Sequence, residues 1–134
     1  DLRLDVSLKR LVANFEQATG ISIHLLLSDQ IPALSTAHRL ALYRTTQESL
    51  TNVQRHAQAK QVWLQLARRD DTITLRVSDN GVGYPKDTPE TGFGLRGIQE
   101  RVAQLGGQLR FETRPGGGAQ LWLSLPLVLE GTNV

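Results

Sequence analysis

Residues Thr72 to Ser78 alternate without a break, with Ile73, Leu75 and Val77 on one side and Thr74, Arg76 and Ser78 on the other. Period-two alternation over that length specifies a strand with one buried face. Asp79 continues the apolar parity, so its carboxylate is expected at the end of the buried face, directly before Asn80-Gly81-Val82-Gly83. Gly81 and Gly83 bend the backbone away at once. A buried carboxylate is costly unless a donor meets it, whether from the protein or from a ligand carrying an N–H group.

The other segments fall into place around this strand. Leu8, Leu11, Val12 and Phe15 form one helical stripe between about Ser7 and Ala18, and Gly20 supplies the stop. Ile21, Ile23, Leu25 and Leu27 predict a short strand. Pro32 and Ser35 then precede a long helix, roughly Thr36 to Ala57, with Ser35 as its N-cap. Val62, Leu64 and Leu66 alternate in a second strand that turns through Arg69-Asp70-Asp71 into the third. Gly81 to Gly94 reads as a long loop, rich in Gly, Pro, Thr and Asp, of the kind that carries function or moves. Leu95, Ile98, Val102 and Leu105 restore helical spacing up to Gly106-Gly107. Leu109 and Phe111 mark a fourth strand, and Gly116-Gly117-Gly118 turns into a fifth with Leu121, Leu123, Leu125 and Leu127. This order predicts an α+β fold: a two-layer α/β sandwich, one mixed five-stranded sheet with about three helices on one face.

Composition narrows the function classes. A chain of 134 residues, 40% hydrophobic and 21% charged, suits one soluble globular domain. A net charge of +2, with basic residues spread among acidic ones and 5% aromatic residues, argues against a dedicated nucleic-acid surface. The sequence pI is 9.4, yet the basic excess is slight. No apolar run reaches membrane-spanning length and no signal-peptide pattern opens the chain. With no cysteine, disulfides and thiolate metal sites are excluded, which fits a reducing compartment. Methionine is absent and the first residue is Asp1, so a fragment of a longer protein is expected.

Two further segments carry chemistry. At about 100° per residue, Glu48, Asn52, Arg55 and His56 share one face of the long helix, opposite Tyr43, Leu50, Val53 and Ala57. Taken alone, that face reads first as the solvated side of an amphipathic helix. Gly92-Phe93-Gly94-Leu95-Arg96-Gly97 places glycines immediately before a helix, whose free N–H groups and dipole suit an anion. A lone pair of glycines is weak evidence, and an ordinary flexible loop explains it equally.

In combination and in this order, the three segments resemble the histidine-kinase-like ATPase superfamily with its Bergerat ATP-binding fold. Gln47-Glu48-Ser49-Leu50-Thr51-Asn52 through Arg55-His56-Ala57 is similar to the N box. Asp79 to Gly83 and Gly92 to Gly97 are similar to the two glycine boxes. The wording, including Gly97-Ile98, Arg101-Val102 and Leu105-Gly106-Gly107, most resembles the nitrate-sensor-like subfamily of two-component histidine kinases, over about Ser7 to Leu127.

The resemblance implies a set of roles. Asp79 would accept a hydrogen bond from the adenine amino group, and Gly81 and Gly83 would let base and ribose lie against the chain. Asn52 would give its amide oxygen to Mg²⁺. Arg55 would contact phosphate and His56 flank the nucleotide. Gly92, Gly94 and the N–H groups near Leu95 would cradle the phosphates, under a short lid at Tyr84 to Thr91. Glu48 matches a general base in superfamily ATPases; in a kinase it would only help place Mg²⁺. The cofactors implied are ATP and Mg²⁺. The partners implied are a dimerisation and histidine-phosphotransfer domain of the same parent and a response regulator. Neither nucleic acid nor membrane contact is expected, and the setting implied is cytoplasmic.

Two departures stand out. The family's final strand often begins Gly-Thr, and here Ala119 follows Gly118. The phosphoacceptor His-Asp pair is not in the chain: His24 falls in a strand, His38 at a helix start and His56 in the N box. The expectation is therefore a catalytic domain at residues 20–129, with residues 1–19 as a helix from the acceptor domain and 130–134 as a frayed tail. Two other readings remain: a water-activating ATPase or anti-sigma-type Ser/Thr kinase on the same fold, and a non-catalytic nucleotide-sensing module.

Overall fold

The computed structural model describes residues 3–29, 31–83, 94–114 and 116–127. The chain forms α1 (Leu4–Thr19), β1 (Ser22–Leu27), α2 (Thr36–Asn52), a π-helical turn (Val53–Ala57), β2 (Gln61–Arg69), β3 (Thr72–Asp79), α3 (Arg96–Gln104), β4 (Gln108–Arg114) and β5 (Gly118–Pro126). The first helix starts three residues earlier than its hydrophobic stripe suggests. Leu4 is buried, and Arg3 and Asp5 pair beside it, so burial carries the helix back to Leu4. Gly20 ends it at φ 74°, with its N–H bonded to the Glu16 carbonyl.

The strands form one sheet in the order β1-β2-β3-β5-β4. β1 runs parallel to β2 and the other neighbours are antiparallel, so the sheet is mixed. Register lines the apolar parity up across all five strands. One row reads Leu25, Leu64, Val77, Leu121, Phe111, and the next reads Leu27, Leu66, Leu75, Leu123, Leu109. Leu64, Leu66, Leu75 and Leu123 are fully buried beneath the helices. Burial of each such side chain contributes about 1.5–3 kcal/mol.

All three helices pack on this apolar face, giving the two-layer sandwich expected from the sequence. α1 adds Leu4, Leu8 and Val12 to the same core, so it packs as an integral layer. The start of α2 is fixed by Ser35, whose Oγ accepts from the His38 N–H at 3.1 Å. Among the described residues, no helix is long and apolar enough to cross a membrane. The lid segment Tyr84 to Thr91, Gly92 and the tail at 130–134 lie outside the described residues.

Candidate functional site

The row beyond Leu25–Phe111 reads Ile23, Val62, Asp79, Ala119, Thr113. Asp79 therefore stands on the buried face, in the middle strand, as its parity demands. Its Oδ1 accepts from the Gly81 N–H at 2.8 Å, and the Ala119 N–H also donates to the carboxyl. Burial pushes the Asp79 carboxyl above its usual value, with those two N–H groups pulling the other way. Ala119 has no hydroxyl to offer, and its support of the carboxyl comes from a main-chain donor, which no side-chain pattern reveals.

That donor is delivered by Gly118. Its φ is +82°, and a Cβ there would collide with the Asp79 carbonyl. On the other side, Asn80 Oδ1 accepts from the N–H groups of Lys60 and Gln61, both at 3.0 Å. The Gly116 N–H bonds the Val82 carbonyl. The turn after β3 is therefore pinned to the start of β2 on one side and to the turn between β4 and β5 on the other, and Gly81 and Gly83 are buried within it.

The end of α2 differs from expectation in one respect. The α-helix stops at Asn52 and continues as a π turn through Ala57, closed by Gln58 at φ 51°. A π turn winds more residues per turn, so a face extrapolated at α-helical spacing breaks down there. The four polar residues are not one solvated stripe. Asn52 is buried (7% exposed), Glu48 is half-buried, and Arg55 and His56 are exposed. Thr45, Thr46 and Ser49 are buried too, and each hydroxyl bonds the carbonyl four residues back at 2.7–2.9 Å. With those hydroxyls satisfied locally, α2 can press its polar side onto the sheet.

A recess results, lined by Ser49, Asn52, Val53, Val77, Asp79, Phe111, Ala119, Gln120 and Leu121. An amide from α2 and a carboxyl from β3 share its wall. Glu48 lies elsewhere: its carboxylate sits against Gly94, where a side chain would stand. Gly94 has φ +72° and leads through Leu95, which is fully buried, into α3. No side chain among the described residues caps that helix start, and its first N–H groups and dipole suit an anion.

The structure thus brings Asn52 and Asp79 together, and separately Glu48 and Gly94. Arg55 and His56, on the π turn, do not line the recess. Of the other histidines, His38 is a buried core residue, and His24 is exposed and stacked on Trp63. Sequence reasoning missed Asn80, Gly118, Ser49, Phe111 and Gln120. The strand parity places Phe111 and Leu121 one row from Asp79, a signal available once register is known. Nothing in the sequence marks Asn80.

Residues 37–129 match the family described as histidine kinase-, DNA gyrase B-, and HSP90-like ATPase. The signal transduction histidine-protein kinase/phosphatase DegS of Brevibacillus brevis is 35% identical over 134 residues, covering 97% of this chain and 34% of DegS. UhpB of Salmonella typhimurium, with the same description, is 37% identical over 127 residues, covering 94% of this chain and 25% of UhpB. The chain thus spans about a third or less of these relatives. Among solved structures, the histidine kinase domain of the Erythrobacter litoralis EL346 blue-light activated histidine kinase superposes with a TM-score of 0.81. It is 21% identical, and the match covers 94% of this chain and 62% of that one, a likeness of fold.

Proposed function

The chain belongs to the histidine kinase-, DNA gyrase B-, and HSP90-like ATPase family, and from that membership we propose that it is the ATP-binding catalytic domain of a sensor histidine kinase. In this reading it binds Mg·ATP and presents the γ-phosphoryl group to a histidine on a separate dimerisation domain, which then hands it to a response regulator. Residues 20–129 would form the catalytic domain, and residues 1–19 would connect it to the acceptor helices while packing on its core. A cytoplasmic setting follows from that role.

The observation that carries the reading is the recess wall shared by Asp79 and Asn52. Asp79 presents a carboxyl held on two backbone N–H groups, an acceptor suited to the adenine amino group. A carboxylate that receives a further N–H bond gains relief from burial, which is a reason for the base to be read there. Gly81 and Gly83 keep the approach clear of side chains.

The donor set fits Mg²⁺. Asn52 offers an amide oxygen and Glu48 a carboxylate, and no cluster of three or more His, Cys, Asp or Glu exists among the described residues. Mg²⁺ is commonly held by one or two protein oxygens, with phosphate oxygens and waters completing the shell. When bound, it would neutralise charge on the transferring phosphoryl group. Asn52 would hold it, and Glu48 would orient its waters or, in a hydrolytic reaction, act as base. Arg55 would meet phosphate from the exposed π turn, with His56 flanking. The N–H groups at Gly94, Leu95 and the start of α3 would receive phosphate oxygens, joined by Gly92. Catalysis would consist of positioning and charge neutralisation.

Calorimetric titration of Asp79→Asn tests the nucleotide assignment. The folded variant should lose ATP binding, and an unchanged affinity would overturn it. The chain alone should not incorporate the γ-phosphate, because the acceptor histidine is outside it. ATP turnover by the chain alone, abolished in Glu48→Ala, would instead favour the hydrolytic reading.

A further inference from the structure

The helices cover one face of the sheet, and the opposite face carries a second patterned surface. Leu26, Gln65, Arg76, Trp122 and Arg110 form one row across all five strands. The guanidinium carbons of Arg76 and Arg110 lie 5.9 and 5.0 Å from the centre of the Trp122 ring. Arg76 also donates to Gln120 Oε1 at 3.5 Å. Neither arginine forms an ion pair with a described residue. Glu112, two residues from Arg110, is the one carboxylate on this face of the strands among the described residues.

Toward β1 the face turns apolar. Leu26 is 62% exposed and Trp63 is 41% exposed. The His24 ring stacks on Trp63 with centroids 5.4 Å apart. A basic strip on β3, β5 and β4 thus runs beside an apolar strip on β1 and β2. Leu26 on β1 and Arg76 on β3 stand two strand spacings apart, roughly 10 Å, close to the diameter of an α-helix.

Two like charges drawn onto one indole repel each other, and an anion between them relieves that repulsion. The cation–π contacts also hold both guanidiniums in place before a partner arrives. We infer that this face docks an amphipathic helix of a protein partner, with carboxylates on one flank meeting Arg76 and Arg110 and aliphatic side chains on the other meeting Leu26 and Trp63. Charge complementarity selects that occupant. A second copy would bring the same basic strip and repel. Nucleic-acid bases would need ring faces that Arg76, Arg110 and His24 already contact. A lipid surface would meet Gln65, Ser78 and Gln120 between the apolar residues.

The test is a titration of the isotope-labelled chain with a synthetic helical peptide of about 20 residues, bearing Glu along one flank and Leu along the next. Saturable amide shifts are expected at Leu26, Trp63, Arg76, Arg110 and Trp122. The double variant Arg76→Glu, Arg110→Glu should bind this peptide roughly tenfold more weakly or worse. It should gain binding to the same peptide with Lys in place of Glu, and that gain also shows that the variant is folded. ATP affinity should not change. Several results would overturn the inference: no saturation, shifts elsewhere, or equal binding of the Glu peptide by the variant. So would self-association through this face, or an oligonucleotide or anionic vesicle shifting these residues when the peptide does not.

Discussion

The main-chain carbonyl of Asp79 occupies the space that a Cβ on Gly118 would need. β5 can therefore begin beside β3 only with a glycine, and the next residue, Ala119, brings its N–H to the Asp79 carboxyl. Backbone approach and site chemistry are a single feature.

Gly118→Ala should consequently damage both. The left-handed φ of +82° costs a non-glycine residue about 1–2 kcal/mol, and the collision with backbone cannot be relieved by a side-chain rotation. A total loss of about 2–4 kcal/mol is expected in urea unfolding, with weaker ATP binding in the protein that remains folded. Stability within 1 kcal/mol of the parent, as a rough threshold, would contradict the close approach.

Gly94→Ala meets a different neighbour. The group in its way is the end of the Glu48 side chain, which can swing aside. The φ strain remains, but the larger effect should fall on function, because the Glu48 carboxylate is displaced. Combining Gly94→Ala with Glu48→Ala removes the collision, so the two changes should be non-additive by about 0.5–3 kcal/mol in a double-mutant cycle. Strict additivity would show that the two residues do not touch.

His38 illustrates a polar residue whose role is architectural. It is 2% exposed, with Nε2 at 2.7 Å from the Pro126 carbonyl and Nδ1 at 2.7 Å from Ser35 Oγ. A carbonyl only accepts, so Nε2 carries the hydrogen and Nδ1 accepts from the serine hydroxyl. His38→Ala leaves the Pro126 carbonyl without that donor and opens a void between α2 and β5, so a loss of about 2–4 kcal/mol is expected. Because Pro126 lies at the far end of β5 from Ala119, ATP affinity should persist in the folded fraction. Loss of affinity out of proportion to unfolding would refute the separation.

Much of this was legible in the sequence, for identifiable reasons. Strand parity alone put Asp79 on the buried face, because a period of two admits no compromise over a run as long as Thr72 to Ser78. Helix spacing, by contrast, assumed α geometry through Ala57. Asn52, still within the α-helix, keeps the inward face, and the π turn that begins at Val53 changes the phase, so Arg55 and His56 leave that face and are exposed. Contacts made by backbone escaped entirely. The Ala119 N–H and the fit of Gly118 against Asp79 depend on which strands become neighbours, and β3 pairs with β5 across an intervening helix and strand. Asn80 escaped for the same reason, since its partners Lys60 and Gln61 come from the strand before.

Asp79→Asn makes a prediction about stability that runs opposite to its effect on binding. Burial raises the folded-state pKa of Asp79, so between the unfolded and folded values the native protein holds more protons than the unfolded chain. Stability attributable to this group therefore falls as pH rises from the ordinary aspartate value of 3.8 through the raised folded value, and the deficit persists at neutral pH. Asparagine keeps an oxygen for the Gly81 N–H but carries no charge to bury. The variant should melt at or above the parent's temperature at neutral pH, and its advantage should vanish in acid below the unfolded carboxylate pKa. Its amide nitrogen would then face the adenine amino group, donor against donor, which is why ATP should no longer bind. Melting curves across that pH range, with and without ATP, test both halves. A variant less stable than the parent at neutral pH would mean that the Asp79 charge is already compensated within the fold, and the case for a ligand donor at that carboxyl would fail.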